Sequence, residues 1–150
     1  MAGVSDLDAH AGYWMRMVSN AVTQEFAQRI ASENVTVAEW AFMRMLYDAE
    51  AMPPSVLAAR MDMTRGAISK LADRLQAKGL VRRTENRQDK RAHTLSLSAE
   101  GRTKVPVLAS LADMNDAEFF GALADEERAC LDRILRALVA RRGLKSVPVD

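Results

Sequence analysis

Short and cationic side chains lie together at the start of one predicted helix in the middle of the chain. Segment 65–78 has helical periodicity, Thr64 before it is a typical N-cap, and Gly79 after it suits the left-handed position that ends a helix. Four residues near its start lie opposite its apolar stripe: Arg65, Gly66, Ser69 and Lys70. Guanidinium, ammonium and hydroxyl groups bind base edges and phosphates, and short side chains allow close approach. The pattern therefore predicts a helix that enters the major groove of DNA.

A shorter helical pattern precedes this helix, and the two form a helix-turn-helix. In the first helix Leu57, Ala58 and Met61 share one face, and residues 62–63 form the turn. The second helix buries a stripe that consists of Ile68, Leu71, Ala72 and Leu75. The predicted DNA-binding set of these two helices also includes Ser55, Thr64 and Arg74.

A basic hairpin, or wing, follows the second helix. Segments 80–85 and 92–97 are rich in β-forming residues, and polar and apolar residues alternate in the second. The connecting loop carries one acid and three cations, namely Asp89, Arg87, Lys90 and Arg91. Cations at a loop tip repel one another unless a polyanion is near, and the minor groove concentrates negative potential. We expect the three cations to meet the minor groove or its phosphates, and Asp89 to orient Arg91 or an arginine of the recognition helix.

Positive charge is concentrated in this part of the chain. Segment 60–104 has twelve Lys and Arg against five Asp and Glu, a net charge of +7, whereas the whole chain of 150 residues carries +1 and the remainder −6. A basic segment within an otherwise acidic protein is an electrostatic footprint for nucleic acid. A solvated charged surface is the alternative, and the placement of the charge on a capped helix and its wing favours DNA.

These parts, in this order, resemble the MarR (multiple antibiotic resistance regulator) family of bacterial transcription factors. The most specific stretches are Arg-Leu-Gln-Ala-Lys-Gly-Leu-Val-Arg at 74–82, the Asp-x-Arg formed by Asp89 and Arg91, and the spacing to Gly101. The similarity covers nearly the whole chain. It implies a dimer held by the terminal helices and a small ligand that releases the protein from DNA.

The predicted fold is mainly α with a small two- to three-stranded β wing, a winged helix-turn-helix with N- and C-terminal dimerisation helices. We interpret residues 1–150 as one domain, with a DNA-binding lobe at about 36–98 and dimerisation helices at about 7–32 and 99–142. Thr36 begins a capping box and Ser98 caps the long helix after the wing. Beyond Gly143 we expect a frayed tail.

The apolar faces of the terminal helices exceed what one small lobe can cover. Burial between two copies would cover them, and a two-fold dimer would place two recognition helices roughly 34 Å apart on an inverted repeat. The alternative is that these helices pack only within one chain.

Residues for catalysis or metal binding are sparse. His10, His93 and Cys130 lack the spacing of a metal site, and the sequence contains no hydrolytic triad motif and no phosphate-binding glycine loop. The sequence therefore predicts no enzyme and no cofactor. Cys130 has both arginines and acids nearby, and a structural cysteine is favoured over an oxidant sensor.

The family resemblance also implies a pocket for a small aromatic or phenolic effector between the terminal helices and the lobe. Six residues are candidates for aromatic walls and one cation: Tyr13, Trp14, Met17, Trp40, Met43 and Arg44. The alternative is that they pack in the core, where aromatic residues and methionine at helical spacing are common.

Together these features predict a homodimeric, sequence-specific regulator of double-stranded DNA, a repressor of nearby genes that an effector releases. One rival is a winged-helix protein-interaction module, which would not need a basic wing; another is a redox-responsive regulator that acts through Cys130. No apolar run reaches the roughly 18 to 20 residues of a membrane span, and no signal-peptide pattern is present. We expect a cytoplasmic protein, nucleoid-associated when bound to DNA and without membrane contact.

Overall fold

The computed structural model describes residues 3–89 and 92–149. A single 3-10 turn at Leu7–Ala9 precedes the helices and strands of this part of the chain. These are α1 (Ala11–Ala31), α2 (Val37–Tyr47), α3 (Pro54–Met61), α4 (Arg65–Ala77), β1 (Val81–Glu85), β2 (His93–Leu97), α5 (Ala99–Phe120) and α6 (Asp125–Arg142). Within the described ranges, no helix has both the length and the apolar character that a membrane span requires.

Hydroxyl caps begin three of the helices. The Thr36 hydroxyl accepts a bond from the Glu39 N–H at 3.2 Å, and the Glu39 carboxylate accepts one from the Thr36 N–H at 3.0 Å. This reciprocal pair is the predicted capping box. The hydroxyls of Thr64 and Ser98 accept backbone N–H bonds at the starts of α4 and α5. Local side-chain chemistry thus sets where α2, α4 and α5 begin.

Helices α3 and α4 form the helix-turn-helix. Pro54 is the first residue of α3, where the absence of an N–H costs no hydrogen bond. Asp62 ends α3 in the left-handed conformation with φ of 50°, and Gly79 follows α4 with φ of 74°. The apolar faces of both helices are buried in one core with α2, the wing and the start of α5. The predicted turn and C-terminal glycine are confirmed.

The wing is an antiparallel pair. Val81 lies opposite Leu97, and Glu85 lies opposite His93. Met52 and Leu95 each donate a backbone N–H to the other's carbonyl at 2.8 Å, which adds one bridge on the other side of β2. The sheet is therefore two strands plus a single bridge, as predicted.

A buried amide joins α1 to α5. Asn115 donates to the Val22 carbonyl at 3.2 Å and accepts from the Arg29 Nε at 3.0 Å. Its side chain is 3% exposed, so both bonds form away from water. They fix the relative position of two of the terminal helices.

The C-terminal segment differs from the prediction. It was expected to fray, but Val147 and Val149 pack against the core and Ser146 donates to the Asp62 carboxylate at 3.2 Å. The expectation of a frayed tail was wrong because two valines supply apolar surface that the lobe can cover.

Helix α5 begins in close contact with the wing. The Ser98 hydroxyl donates to the Gly79 carbonyl at 2.6 Å, and the Ser98 N–H donates to the Leu80 carbonyl at 3.0 Å. One turn later, a Cβ on Gly101 would overlap the Leu80 carbonyl oxygen. Only glycine fits at this position because the neighbour is backbone and cannot rotate away.

We therefore expect Gly101→Ala to destabilise the fold by about 3 kcal/mol or more, since a methyl group is forced into occupied space. Gly12→Ala is the matched control, because nothing lies within 4 Å of a Cβ there. Alanine favours a helix over glycine by roughly 1 kcal/mol, so the control should be neutral or stabilising. Urea unfolding measures both. Equal stability of the two variants would contradict the close approach.

A buried ion pair joins the end of α4 to the start of α2. Glu39 is 1% exposed, and the Lys78 ammonium lies 3.0 Å from its Oε1 and 2.9 Å from its Oε2. The same ammonium donates to the Asn34 carbonyl at 2.7 Å. Burial by itself would raise the pKa of Glu39, but the bonds from Lys78 and Thr36 outweigh it and lower the pKa below its usual value of 4.5.

Because its pKa is lower in the folded state, ionised Glu39 stabilises the fold above pH 4.5, and this contribution is lost as the pH falls through the folded-state pKa. Glu39→Gln should cost about 2 kcal/mol at pH 7, because it leaves a part-buried ammonium without its counter-charge. The free energy of unfolding of the Glu39→Gln chain should also fall less between pH 5 and pH 3 than that of the parent chain.

Asp132→Asn is the control, since Asp132 pairs with Arg136 on the surface, where an ion pair contributes roughly 0.5 kcal/mol. Thermal unfolding at several pH values separates the two variants. The role of the Glu39 carboxylate would be refuted if the Glu39→Gln chain were as stable as the control at pH 7. Its stability would then also fall between pH 5 and pH 3 as much as that of the parent chain.

Candidate nucleic-acid interface

The exposed side of α4 carries the predicted DNA-reading residues. All five predicted positions on α4 are exposed: Arg65, Gly66, Ser69, Lys70 and Arg74. Ile68 and Leu75, on the other side of the helix, are fully buried. The core therefore orients the helix so that its short and cationic side chains face outward.

Gly66 faces open space in the described part of the chain. A Cβ at this position would meet only the Thr64 Oγ1, at 3.9 Å. Gly66 lies two residues after Thr64, the N-cap of α4, on the side away from the core. The missing side chain leaves room for a partner to approach the helix backbone, as a major-groove edge does.

Ser55 lies at the other helix of the motif. It is exposed in the first turn of α3, directly after Pro54. N–H groups in the first turn of a helix are suited to a phosphate. The contact of Ser55 with a phosphate stays a prediction.

The wing loop is closed by its own hydrogen bonds. The Asn86 N–H donates to the Ala92 carbonyl at 2.9 Å, and the Asn86 side chain accepts from the Gln88 N–H at 2.9 Å. Arg87 and Asp89, between Asn86 and Ala92, are exposed. The other two predicted cations, Lys90 and Arg91, and the suggested pairing of Asp89 with Arg91 lie outside the described residues.

An ion pair that the sequence analysis missed connects the wing to α4. The Arg83 Nη2 on β1 donates to the Asp73 Oδ1 on α4 at 3.2 Å. The sequence signal that could have indicated this pair is Asp73, an acid among basic residues on the exposed side of the recognition helix. The pair holds the wing strand beside the helix and so relates the two predicted groove-contacting elements.

The six candidate effector residues do not form one pocket in the described chain. Trp40 and Arg44 line a groove of about 320 Å³ between α1 and α2, together with Phe26, whose ring packs edge-on against Trp40 at 6.4 Å. Met43, in contrast, is fully buried in the core, so its assignment to a pocket was wrong. The alternative of core packing applies to Met43.

The three candidates from the first helix lie elsewhere. Tyr13 packs edge-on against Trp14 with ring centres 5.3 Å apart, and the Trp14 Nε1 donates to the Asp8 carbonyl. Trp14 and Phe26 are twelve residues apart on one helix, or about 18 Å at 1.5 Å per residue. Tyr13, Trp14 and Met17 are thus separated from the groove at Trp40 within this chain.

Arg44, the cation of the groove, already has partners within the chain. Arg44 pairs with Asp48 at 2.8 Å and lies 5.6 Å from the centre of the Tyr47 ring. It is 45% exposed and can turn toward the groove. Trp40, Phe26 and Arg44 together provide aromatic walls and a positive rim.

The remaining reactive side chains are dispersed. His10 precedes α1, His93 begins β2, and Cys130 is half-buried in α6, where the Arg133 Nη2 lies 3.4 Å from its Sγ. No group of three or more His, Cys, Asp or Glu that could hold a metal ion occurs in residues 3–89 and 92–149. With one cysteine in the sequence, an intramolecular disulfide is impossible.

Comparison with known sequences agrees with this geometry. The model of the MarR family matches residues 33–92, which span the helix-turn-helix and most of the wing. The HTH-type transcriptional regulator PrsX of Escherichia coli is 32% identical over 97 residues, 63% of this chain and 58% of PrsX. The transcriptional regulator HosA of Escherichia coli is 27% identical over 106 residues, 71% of this chain and 78% of HosA.

Comparison with solved structures gives the same fold. A variant of MarR from Escherichia coli, crystallised in complex with operator DNA, superposes with a TM-score of 0.75 at 23% identity, over 85% of this chain and 92% of that one. The matched segment, residues 33–92, is that of the MarR family, and the chain is similar to transcriptional regulators and shares the winged fold of a MarR protein.

Proposed function

We propose that the chain is a homodimeric repressor that binds an inverted-repeat operator and is released by a small aromatic or phenolic effector. The observation that carries the proposal is the outward face of α4, where Arg65, Ser69 and Lys70 are exposed and Gly66 leaves open space. Ser69 and Gly66 would meet base edges, and the cations would meet bases or phosphates.

The wing supplies the second set of contacts in this proposal. Arg87 is exposed, and Lys90 and Arg91 follow in the same basic loop. Because Asp73 and Arg83 join α4 to β1, the first strand of the wing lies beside the recognition helix. A recognition helix in the major groove would therefore bring the wing to the neighbouring minor groove.

Exposed apolar residues on the terminal helices support a dimer. In α1 and α6 they include Trp14, Met17, Val18, Ile134, Leu135, Leu138 and Val139, each between 38% and 52% exposed. No described residue of α6 is buried within its own chain. An amphipathic helix is stable when its apolar face is covered, and a second copy offers an identical face.

Two similar proteins support repression and effector release. MdtR of Bacillus subtilis, 29% identical over 106 residues, is an HTH-type transcriptional repressor. BpsR of Bordetella bronchiseptica, which shares the fold at a TM-score of 0.77 and 21% identity, has DNA binding that 6-hydroxynicotinic acid regulates. In this chain the groove at Phe26, Trp40 and Arg44 has the chemistry for an aromatic anion. We place the regulated genes near the gene of the protein itself.

Ser69→Leu should reduce the ratio of operator affinity to random-DNA affinity by at least about tenfold, because a bulky side chain disturbs base-edge contacts. The slope of log affinity against log salt on random DNA should stay the same, since the phosphate-contacting cations remain. Ser5→Leu, an exposed position before α1, is the matched control and should change neither quantity. Fluorescence anisotropy with both duplexes measures them. If the Ser69→Leu variant still distinguished the operator from random DNA as well as the parent does, the alternative of a protein-interaction module would be favoured.

The parent chain should sediment as a dimer at micromolar concentration, and Leu138→Glu should shift it toward monomer by placing a charge in the apolar interface. Ala140→Glu adds the same charge on the opposite side of α6, where the residue is exposed, and should remain dimeric. Sedimentation velocity distinguishes these states. A well-folded parent monomer would exclude the dimer and the inverted-repeat operator with it.

A further inference from the structure

The end of the chain returns from α6 to the helix-turn-helix. Gly143 ends α6 in the left-handed conformation, and segment 144–149 continues without regular secondary structure. The Ser146 hydroxyl donates to the Asp62 carboxylate at 3.2 Å. Asp62 is the residue that ends α3, so this contact fixes the tail at the turn of the DNA-binding motif.

The tail packs on the core through its two valines. Val147 and Val149 are half-buried against the core, whereas Pro148 between them is more exposed. The Val147 N–H also donates to the Arg60 carbonyl at 3.5 Å, at the last turn of α3.

The surface under the tail is the groove that contains the candidate effector residues. Val147 and Pro148 line it together with Phe26, Trp40 and Arg44. The volume of about 320 Å³ is the space left with the tail in place, so a ligand that fills more than this space must displace the two tail residues.

A second cleft continues from this groove along α3. Arg44 and Met45 line both, and the second cleft, of about 700 Å³, extends to Val56 and Arg60. The carbonyl of Arg60 accepts the bond from Val147. The tail therefore sits beside both clefts, at the junction of α2 and α3.

We propose that residues 146–149 form a strap that closes the groove between α1 and α2 and fixes the helix-turn-helix to the terminal helices. The lobe is joined covalently to α1 through the loop before α2 and to α5 through Ser98, and the strap adds a connection to α6. A ligand too large for the space beside the attached strap can enter the groove only if the strap detaches. A ligand that displaces Val147 and Pro148 thereby releases the connection to α6.

This inference rests on the proposed effector groove, but its test needs neither an effector nor DNA. The probe is 8-anilinonaphthalene-1-sulfonate, which has apolar aromatic rings and a negatively charged sulfonate group. A chain that ends at Gly143 and the variant Val147→Ser should each bind the dye at least about fivefold more tightly than the parent, because the valine no longer covers the apolar groove. Leu144→Ser is the matched control, since Leu144 is 59% exposed, and it should bind as the parent does.

Energy transfer places the dye in the groove. Adding Trp40→Phe to the shortened chain should remove most of the tryptophan-to-dye transfer, whereas adding Trp14→Phe should leave most of it. Equal transfer in both double variants would overturn the assignment of the dye site to the groove, and with it the proposal.

Hydrogen exchange tests whether the strap connects the helix-turn-helix to α6. Amides of the segment 57–63, at the end of α3, should exchange at least about fivefold faster in the shortened chain and in Val147→Ser than in the parent and Leu144→Ser. If the shortened chain fails to fold by circular dichroism, the Val147→Ser and Leu144→Ser pair decides the outcome. Identical dye binding and exchange in that pair would refute the strap, whatever the DNA-binding results.

Discussion

The carboxylate of Glu39 and the ammonium of Lys78 hold the recognition helix in place. Glu39 closes the capping box of α2, and Lys78, directly after α4, also bonds to the Asn34 carbonyl in the loop after α1. The end of α4 is thus joined to the loop after α1 and to the start of α2, which lie 44 and 39 residues earlier in the sequence. A buried ion pair pays a desolvation cost, so its main effect is to allow one arrangement of the helices rather than several. The outward direction of the basic side of α4 depends on that arrangement.

The contacts around α5 extend the same constraint to the rest of the lobe. Ser98 bonds to the Gly79 carbonyl, and Arg102 donates to the carbonyls of Tyr47 and Ala49, at 3.2 Å and 3.0 Å, at the end of α2. The first turn of α5 therefore binds the ends of both α2 and α4. A movement of α5, a helix of the proposed dimer contact, is transmitted directly to the DNA-reading helix. In the proposed mechanism, a ligand near the terminal helices would alter DNA binding through these contacts.

The sequence predicts well those features that depend on neighbours in the chain. Thr36, Thr64 and Ser98 are caps whose partners lie three residues away, so the starts of three helices were predictable. The alternation in β2 and the stripe of α4 follow from periodicity alone. These local signals specify the winged helix-turn-helix and the exposed side of its recognition helix.

Features that depend on tertiary contacts were not predictable in this way. The seat of Val147 on the lobe and the pairing of Asp73 with Arg83 join residues whose proximity only the fold creates. Met43 has the residue type of a pocket wall but lies fully in the core, because periodicity cannot distinguish a buried wall from packing. Tyr13 and Trp14 belong to a long helix and are too far along it to reach Trp40.

The most direct test of the central claim is a hydroxyl-radical and methylation footprint of the full chain on the DNA upstream of its own gene. Two recognition helices on a two-fold dimer should protect two major-groove patches centred about 10 to 11 base pairs apart, with minor-groove protection beside each from the wings. That pattern should be related by a two-fold axis at the centre of the site. A single protected patch, or protection without a fixed register on any sequence, would contradict the account.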